Sequence, residues 1–315
     1  MEETKVDVVI PVYNAGRWIE TTLDSLLDQG DVLGQVICVD NNSSDQSCEL
    51  ISKWQSSHPE VELVLIEERT PGACPARNLG LSLVRTDWVQ FLDADDLLLP
   101  AKIKAQLALT EGVDMVYGEC WFEEDGNRRH AWKMEDDAVV GLAHGRTGNT
   151  CCNLFRTEAV RDVDGWETDL SSAQEYDLMF RMFQAGSVFQ PSTDRLTVVR
   201  LFSEGRISTG NEAKRRRNSF GLRMRMIEWF LKDLGSELTP AQRQRALNAL
   251  FNASRWLDPW SPEQAQNGFR LLDKHGYVPT VDLHLPIWFV ILAKLTGPRR
   301  AAHLRRTLSN TLKTS

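Results

Sequence analysis

Hydrophobic positions follow two rhythms along this chain, and the change from one to the other divides it. The first rhythm is short apolar runs of strand length. Val6 to Val12 (VDVVIPV) is broken only by Asp7 and Pro11, the pattern of a strand buried on both faces. Between Arg17 and Gln29 the residues Trp18, Ile19, Leu23, Leu26 and Leu27 fall at helical spacing, and Gly30 supplies a stop. Gln35 to Val39 (QVICV) is again strand-like and runs into the turn-forming Asp40-Asn41-Asn42-Ser43-Ser44-Asp45, completing a β-α-β unit. The alternation continues with a helix at Gln46 to Ser56, a strand at Val61 to Glu67, a helix at Ala76 to Val84, and strands at Trp88 to Leu92 and Met115 to Tyr117. Alternation of this kind predicts an α/β fold with a mostly parallel, Rossmann-like sheet flanked by helices, whose ligands bind at the carboxyl ends of the strands.

The second rhythm is helical. Glu123 to Thr150 is polar and glycine-containing and is expected to be a loop-rich insertion near the site. A helix follows at Ser172 to Ala185, with Tyr176, Met179, Phe180 and Phe183 as its apolar stripe. Beyond Leu201 the strand signal fades, and helical patterns dominate from Glu212 to Leu234, Pro240 to Leu257 and Pro262 to His275. The expected organisation is an α/β domain over residues 1–204 and a smaller helical region over 205–315. Leu285 to Leu295 is the most apolar stretch, but it is shorter than the roughly 20 residues a spanning helix needs. Arg299, Arg300, Arg305, Arg306 and Lys313 then surround Ala301, Leu304, Leu308 and Leu312, the pattern of a basic amphipathic helix. Such a helix either packs on its own domain or makes peripheral contact with an anionic membrane.

Charge sharpens this division. The whole chain of 315 residues carries a net charge of −8, but residues 1–199 sum to −19 and residues 200–315 to +11. An acidic half suits metal binding, whereas a basic tail suits phosphates or an anionic surface. Nucleic acid is not an expected partner, because no recognised DNA- or RNA-binding motif accompanies the basic residues. The six cysteines show no CxxC spacing and the first residues do not read as a signal peptide, so a cytoplasmic location is expected.

The sharpest local signal is Asp93-Ala94-Asp95-Asp96, three carboxylates delivered by an apolar strand to its own end. Their mutual repulsion calls for a compensating cation or donor groups. Oxygen ligands favour a hard ion, Mn²⁺ or Mg²⁺, shared with substrate phosphates. Read alone, the run is either such a site or a solvated acidic turn.

Four segments, in order, change that reading. Ile10-Pro11-Val12-Tyr13-Asn14, Val39-Asp40-Asn41-Asn42-Ser43-Ser44-Asp45, Ala76-Arg77-Asn78-Leu79-Gly80 and Leu92-Asp93-Ala94-Asp95-Asp96 together resemble the family 2 glycosyltransferases of the GT-A fold, over about the first 200 residues. The resemblance implies an inverting glycosyltransferase using a nucleotide-sugar donor, with UDP-sugar favoured, and a glycan or lipid-linked acceptor. It places Pro11, Tyr13 and Asp40 at the nucleoside, Arg77, Asp93 and Ala94 along the donor, and Asp95 on the metal, with Asp96 in support. Tyr13 also reads as a turn aromatic, and Arg77 as a helix-surface arginine.

The transfer also needs a base for the acceptor hydroxyl. Gln174-Glu175-Tyr176-Asp177-Leu178 resembles the family's acidic motif and puts Glu175 in the base position, with Gln174 standing where a Glu is usual. Glu175 and Asp177 lie about 200° apart on a helix, so one serves chemistry while the other is an ordinary exposed acid. Val198 to Ser208 lacks the histidine many relatives place there, which leaves Arg200 and Arg206 either as phosphate contacts or as loop residues. Asn41 replaces a frequent second Asp, and Asp45 is a candidate helix cap. Trp121, Trp132 and Trp166 are either sugar platforms or core. Cys151-Cys152 reads as a pair of small buried thiols.

Two other classes compete. A nucleotidyltransferase of similar fold should carry a glycine-rich basic loop after the first strand, where this chain has Tyr13-Asn14-Ala15-Gly16-Arg17. A catalytically weak or inactive scaffold is suggested by Gln174 and the missing histidine.

Overall fold

Asp7 shows why a polar residue is tolerated in the first strand. Its Oδ1 accepts from the backbone N–H of Gln35 at 2.8 Å and its Oδ2 from that of Arg85 at 2.7 Å, so the buried carboxylate ties three segments together. The computed structural model describes residues 4–131, 133–201, 212–281, 285, 287–297 and 300–301. Through the first 200 residues the order is β1 (Val6–Val12), α1 (Ile19–Leu27), β2 (Leu33–Asp40), α2 (Ser47–Ser57), β3 (Leu63–Glu67), α3 (Ala73–Leu83), β4 (Trp88–Phe91), β5 (Leu97–Leu98), α4 (Lys102–Leu107), β6 (Met115–Tyr117), β7 (Trp121–Glu124), β8 (Asn127–His130), α5 (Ala138–His144), β9 (Leu154–Arg156), α6 (Thr157–Arg161), α7 (Gln174–Gln184), β10 (Phe189–Pro191) and β11 (Thr197–Arg200). The helices α8 (Glu212–Trp229), α9 (Pro240–Leu257), α10 (Pro262–Lys274) and α11 (Ile287–Thr296) follow.

Two sheets form among the described residues. The larger has seven strands in the order β10-β6-β9-β4-β1-β2-β3, with β9 antiparallel to both of its neighbours and the other pairs parallel. Its central strands are buried nearly throughout, which is why they read as continuous apolar runs. The smaller sheet runs β5-β11-β7-β8. Gly80 lets α3 lie close on the large sheet, since a Cβ there would stand 2.4 Å from Cγ1 of Val9 and 3.3 Å from Cγ2 of Val39. The mostly parallel sheet flanked by helices, with a helical C-terminal region, is the α/β architecture expected.

Three details differ from expectation. Residues 123–150 are not all loop. Trp121 to His130 form the β7–β8 hairpin, turned by Asp125 (φ 50°) and Gly126 (φ 76°), and α5 follows. The helix expected from Ser172, α7, begins at Gln174 instead, because Ala173 adopts a left-handed conformation (φ 60°). Its buried face is Asp177, Leu178, Met179, Phe180 and Met182, while Tyr176 and Phe183 are half-buried.

By contacts the chain divides into two units, residues 1–141 with 145–208 and residues 142–144 with 209–315. In the second unit α9 starts with a full capping box, Thr239 and Gln242 exchanging hydrogen bonds around Pro240 at the first helical position. Its core is aromatic, with Phe251 packed against Phe269, Tyr277 and Phe289, and Tyr277 Oη donating to Asn248 Oδ1 at 2.8 Å.

Candidate active site

The parallel register brings Val12, Asp40 and Glu67 level at the carboxyl ends of β1, β2 and β3. Asp93 follows β4, which pairs with the other side of β1. Asp40 and Asp93 therefore sit two strands apart on the same edge of one sheet, a separation of about 10 Å from strand spacing.

On the β1–β2 side, short polar residues bind the two turns together. The backbone N–H groups of Asn14, Ala15 and Gly16 donate to Ser43 Oγ, Ser47 Oγ and Asp45 Oδ2 at 3.0, 2.8 and 2.9 Å, and Ser44 N donates to Asn14 Oδ1 at 2.8 Å. Asp45 also accepts from Ser47 N, the first residue of α2, at 3.0 Å and so ties the facing turn to the helix start, although the N-cap position itself is Gln46. Asn41 is fully used as a staple: its Nδ2 donates to the carbonyls of Glu68 and Thr70 at 2.8 Å each, and its Oδ1 accepts from Gly72 N at 2.7 Å. A second carboxylate here would face two carbonyl oxygens. Asp40 is different. Its Oδ2 accepts a long 3.4 Å bond from Ser43 N, but its buried Oδ1 has no hydrogen-bond partner. Pro11 is half-buried nearby in sequence and Tyr13 is 49% exposed.

On the β4–α7 side, full charges stand against apolar walls. The Arg77 side chain is buried, its Nη2 donates to Asp93 Oδ1 at 2.6 Å, and its guanidinium carbon lies 4.6 Å from the Trp166 ring centroid. Burial alone would favour losing the proton; Asp93 outweighs it and keeps Arg77 firmly charged. Its Nε has no partner. Arg77 is thus not a helix-surface arginine. Cys74 stands one turn earlier on α3; burial pushes its thiol up to about 11, with the Arg77 charge acting the other way. Asn78 holds the platform beneath Arg77 by exchanging two 2.8 Å bonds with the backbone of Trp166.

Glu175 is half-buried in the first turn of α7, within electrostatic reach of both Arg77 and Asp93. Burial raises its carboxyl above the usual glutamate range and Asp93 adds to the rise, while its own backbone N–H and Arg77 act the other way. Asp177 is not an exposed acid. It is buried and paired with Arg181 Nε at 2.8 Å, and Arg181 in turn donates to the carbonyls of Val163 and Gly165. Gln174 donates to Leu170 O at 2.7 Å, closing the turn before the helix.

Asp96 is buried and satisfied, accepting from Arg200 N at 2.9 Å and from Cys151 Sγ at 3.0 Å. Burial first, then Asp95 and Asp93, hold its carboxyl well above the usual range. Thr22 Oγ1 anchors the backbone of Ala94 at 2.9 Å. Asp93 and Asp95 are half-buried. Their oxygens suit a hard divalent cation, and the repulsion that raises Asp96 is what such an ion would relieve. Among the described residues no group of three His, Cys, Asp or Glu side chains is arranged to hold a metal.

Arg200 lies over Trp18, its guanidinium carbon 5.4 Å from the ring centroid, and donates to Thr21 Oγ1 at 3.1 Å. Trp166 is 1% exposed and so is core, not a sugar platform. Trp121 is half-buried, its Nε1 donating to Arg195 O at 3.1 Å. Trp132, Arg206 and the segment 202–208 lie outside the described residues, as does nearly all of the basic stretch 299–313. The partnered Asn41, the Trp166 floor, Cys74 and the Arg181 clamp were not anticipated; Asn78, two residues before Gly80, was the nearest signal.

The model of glycosyl transferase family 2 matches residues 7–163. By sequence the chain is similar to the amylovoran biosynthesis glycosyltransferase AmsB of Erwinia amylovora, 30% identical over 223 residues, which is 65% of this chain and 73% of that protein. It is also similar to the putative teichuronic acid biosynthesis glycosyltransferase TuaG of Bacillus subtilis (strain 168), 35% identical over 102 residues, 32% of this chain and 40% of that protein. Two solved structures share the fold. TarS 1–349 of S. aureus in complex with UDP-GlcNAc gives a TM-score of 0.57 at 15% identity, covering 89% of this chain and 94% of that one. The mannosyltransferase PcManGT of Pyrobaculum calidifontis, in complex with GDP-Man and Mn²⁺, gives 0.57 at 21% identity, covering 96% and 86%.

Proposed function

The chain belongs to glycosyltransferase family 2, and from that premise we propose that it is an inverting, metal-dependent transferase moving a sugar from a UDP-sugar to a hydroxyl of a glycan or lipid-linked acceptor. The observation that carries this reading is one sheet edge holding both the unpartnered buried Asp40 Oδ1 and, two strands away, the Asp93–Arg77 pair within reach of Glu175. Asp40 Oδ1 suits the imide N–H of a pyrimidine, a bond whose absence leaves a buried acceptor unsatisfied. Pro11 and the exposed Tyr13 flank the base. Asp93 and Ala94 meet the ribose side of the donor, and Arg77 offsets the charge of the diphosphate.

Asp95 is the residue to hold Mn²⁺ or Mg²⁺. Such an ion would neutralise the charge that develops on the departing diphosphate. Glu175 takes the proton from the acceptor hydroxyl as its oxygen bonds to the anomeric carbon, while the bond from that carbon to the phosphate oxygen breaks on the opposite face. A carboxyl raised by burial holds that proton nearer to neutral pH than an ordinary glutamate does. Asp96, satisfied by Arg200 and Cys151, shapes the turn that presents Asp95.

In this reading residues 1–204 bind the donor and carry out the transfer, and 205–315 form a helical domain whose basic end meets the inner face of an anionic membrane. The relatives named for amylovoran and teichuronic acid biosynthesis support a polysaccharide or other cell-surface glycan as product. The six cysteines are free thiols, which suits a cytoplasmic setting. A panel of nucleotide-sugars tests the proposal, scored by thermal shift with and without Mn²⁺ and by the anomeric configuration of the product in NMR. A Mn²⁺-dependent rise in Tm with a UDP-sugar and an inverted anomer is the expected result. A product that keeps the donor's configuration contradicts it.

A further inference from the structure

α11 presents two unlike faces. Phe289, Val290 and Ala293 are buried, with Phe289 packed on Phe251 at 6.0 Å between ring centroids and beneath the Arg255 guanidinium at 5.3 Å. At about 100° per residue, Lys294, Ile287, Ile291, Leu295 and Trp288 share an arc of roughly 120° on the other side of the helix. All five are exposed, Ile287 at 66% and Leu295 at 79%. Single exposed apolar residues are ordinary on a protein surface; four on one face of a 10-residue helix make a patch that asks for a partner.

We propose that α11 is a membrane-docking helix that lies in the plane of an anionic lipid surface, with Ile287, Trp288, Ile291 and Leu295 in the headgroup and acyl-chain boundary. Charge selects this occupant. From residue 283 to 315 the sequence holds Lys294, Arg299, Arg300, Arg305, Arg306 and Lys313 and no acidic residue. An anionic bilayer complements that segment, whereas pairing of α11 with α11 of a second copy would bring like charge against like. Geometry selects the mode. At about 1.5 Å per residue α11 is far too short for a hydrocarbon core of about 30 Å, and among the described residues no helix is long and apolar enough to cross a membrane. A short helix with one apolar face, a tryptophan and a basic border lies on the interface instead. This deepens the proposed function by naming the surface that would bring the enzyme to a lipid-linked or cell-surface acceptor, yet it stands on lipid binding and not on turnover.

The test is co-sedimentation of the full chain with vesicles of phosphatidylcholine alone and of phosphatidylcholine mixed with phosphatidylglycerol. The wild type is expected to bind the mixed vesicles and to leave them as salt rises. The double variant Ile291→Asp, Leu295→Asp should bind at least about tenfold more weakly, since both side chains are exposed and their loss removes apolar area from the interface. Brominated acyl chains should quench part of the wild-type tryptophan fluorescence, and that part should vanish in Trp288→Leu, a variant that keeps the site apolar. The UDP-dependent shift in Tm, read on the same proteins, reports the donor site separately. Wild type that ignores mixed vesicles, a double variant that binds as well as wild type, or a dimer in light scattering that the double variant abolishes would each overturn the assignment.

Discussion

At the ends of β1 and β2 the chain closes on itself mainly through backbone N–H groups bonded to serine and asparagine oxygens, joined by the Asp45 carboxylate, while at the end of β4 and the start of α7 a buried arginine is paired with Asp93 beside Glu175. The first region is satisfied almost to the last atom. What it leaves over is one carboxylate oxygen of Asp40, the preformed acceptor on which the proposed recognition of the base depends. The second region balances charge against burial: Asp93 holds Arg77 charged, and Glu175 is raised. In the proposed function, a hydrogen-bonded frame suits reading a base that does not change during the reaction. A strained set of charges suits a step in which charge moves.

The largest expected effect falls on the charged side. Glu175→Gln should lower kcat by roughly 10²- to 10⁴-fold, the usual contribution of a general base, with the Kd for UDP-sugar within about twofold of wild type. Steady-state turnover alongside calorimetric binding checks both, and near-normal turnover would remove Glu175 from the reaction. The pH profile sharpens the point. A base must be deprotonated to act, and burial raises this carboxyl, so activity should be lost as pH falls through a value above the ordinary glutamate range. An acid limb at or below that range contradicts the assignment.

Next, Arg77→Ala should cost about 3 kcal/mol of unfolding free energy, the low end for breaking a buried pair because Asp93 keeps some exposure. Denaturant melts measure it, and the proposed role also requires weaker binding of pyrophosphate. On the β1–β2 side, Asp40→Ala should weaken UDP by about 1.5–3 kcal/mol while leaving pyrophosphate affinity unchanged, as a lost bond from a charged acceptor predicts. Equal losses for both ligands would erase the distinction between the two regions. Asn41→Asp should be the mildest, lowering stability by about 1–3 kcal/mol because it replaces a donor to two carbonyls with an acceptor. A Tm equal to wild type would show that the staple matters little.

How far the sequence could be read follows the same divide. Buried parallel strands announce themselves as apolar runs, and the polar residues that end them, Asp40 and Asp93, fall on one sheet edge once the strands pair. The long-range partners do not announce themselves. Trp166 is 89 positions from Arg77, and only the fold brings the ring beneath the guanidinium. Asp177 and Arg181 stand at i,i+4, a spacing that already proposes an ion pair, yet the periodicity of Tyr176 and Phe183 drew the buried face one residue away from where it lies. The β7–β8 hairpin carried its Asp125-Gly126 turn in plain view, but β8 is wholly exposed, so no apolar run marked it. The described residues stop short of the basic tail, whose pattern stands on sequence alone.

The claim on which all of this depends is that Asp40 and Asp95 serve one bound nucleotide through one cation. Calorimetric titration of UDP into wild type and Asp95→Asn, each with and without Mn²⁺, tests it directly. Wild type should bind UDP markedly more tightly when Mn²⁺ is present, and Asp95→Asn should lose that gain while retaining the weaker metal-free affinity. Equal affinity in all four titrations would contradict the account.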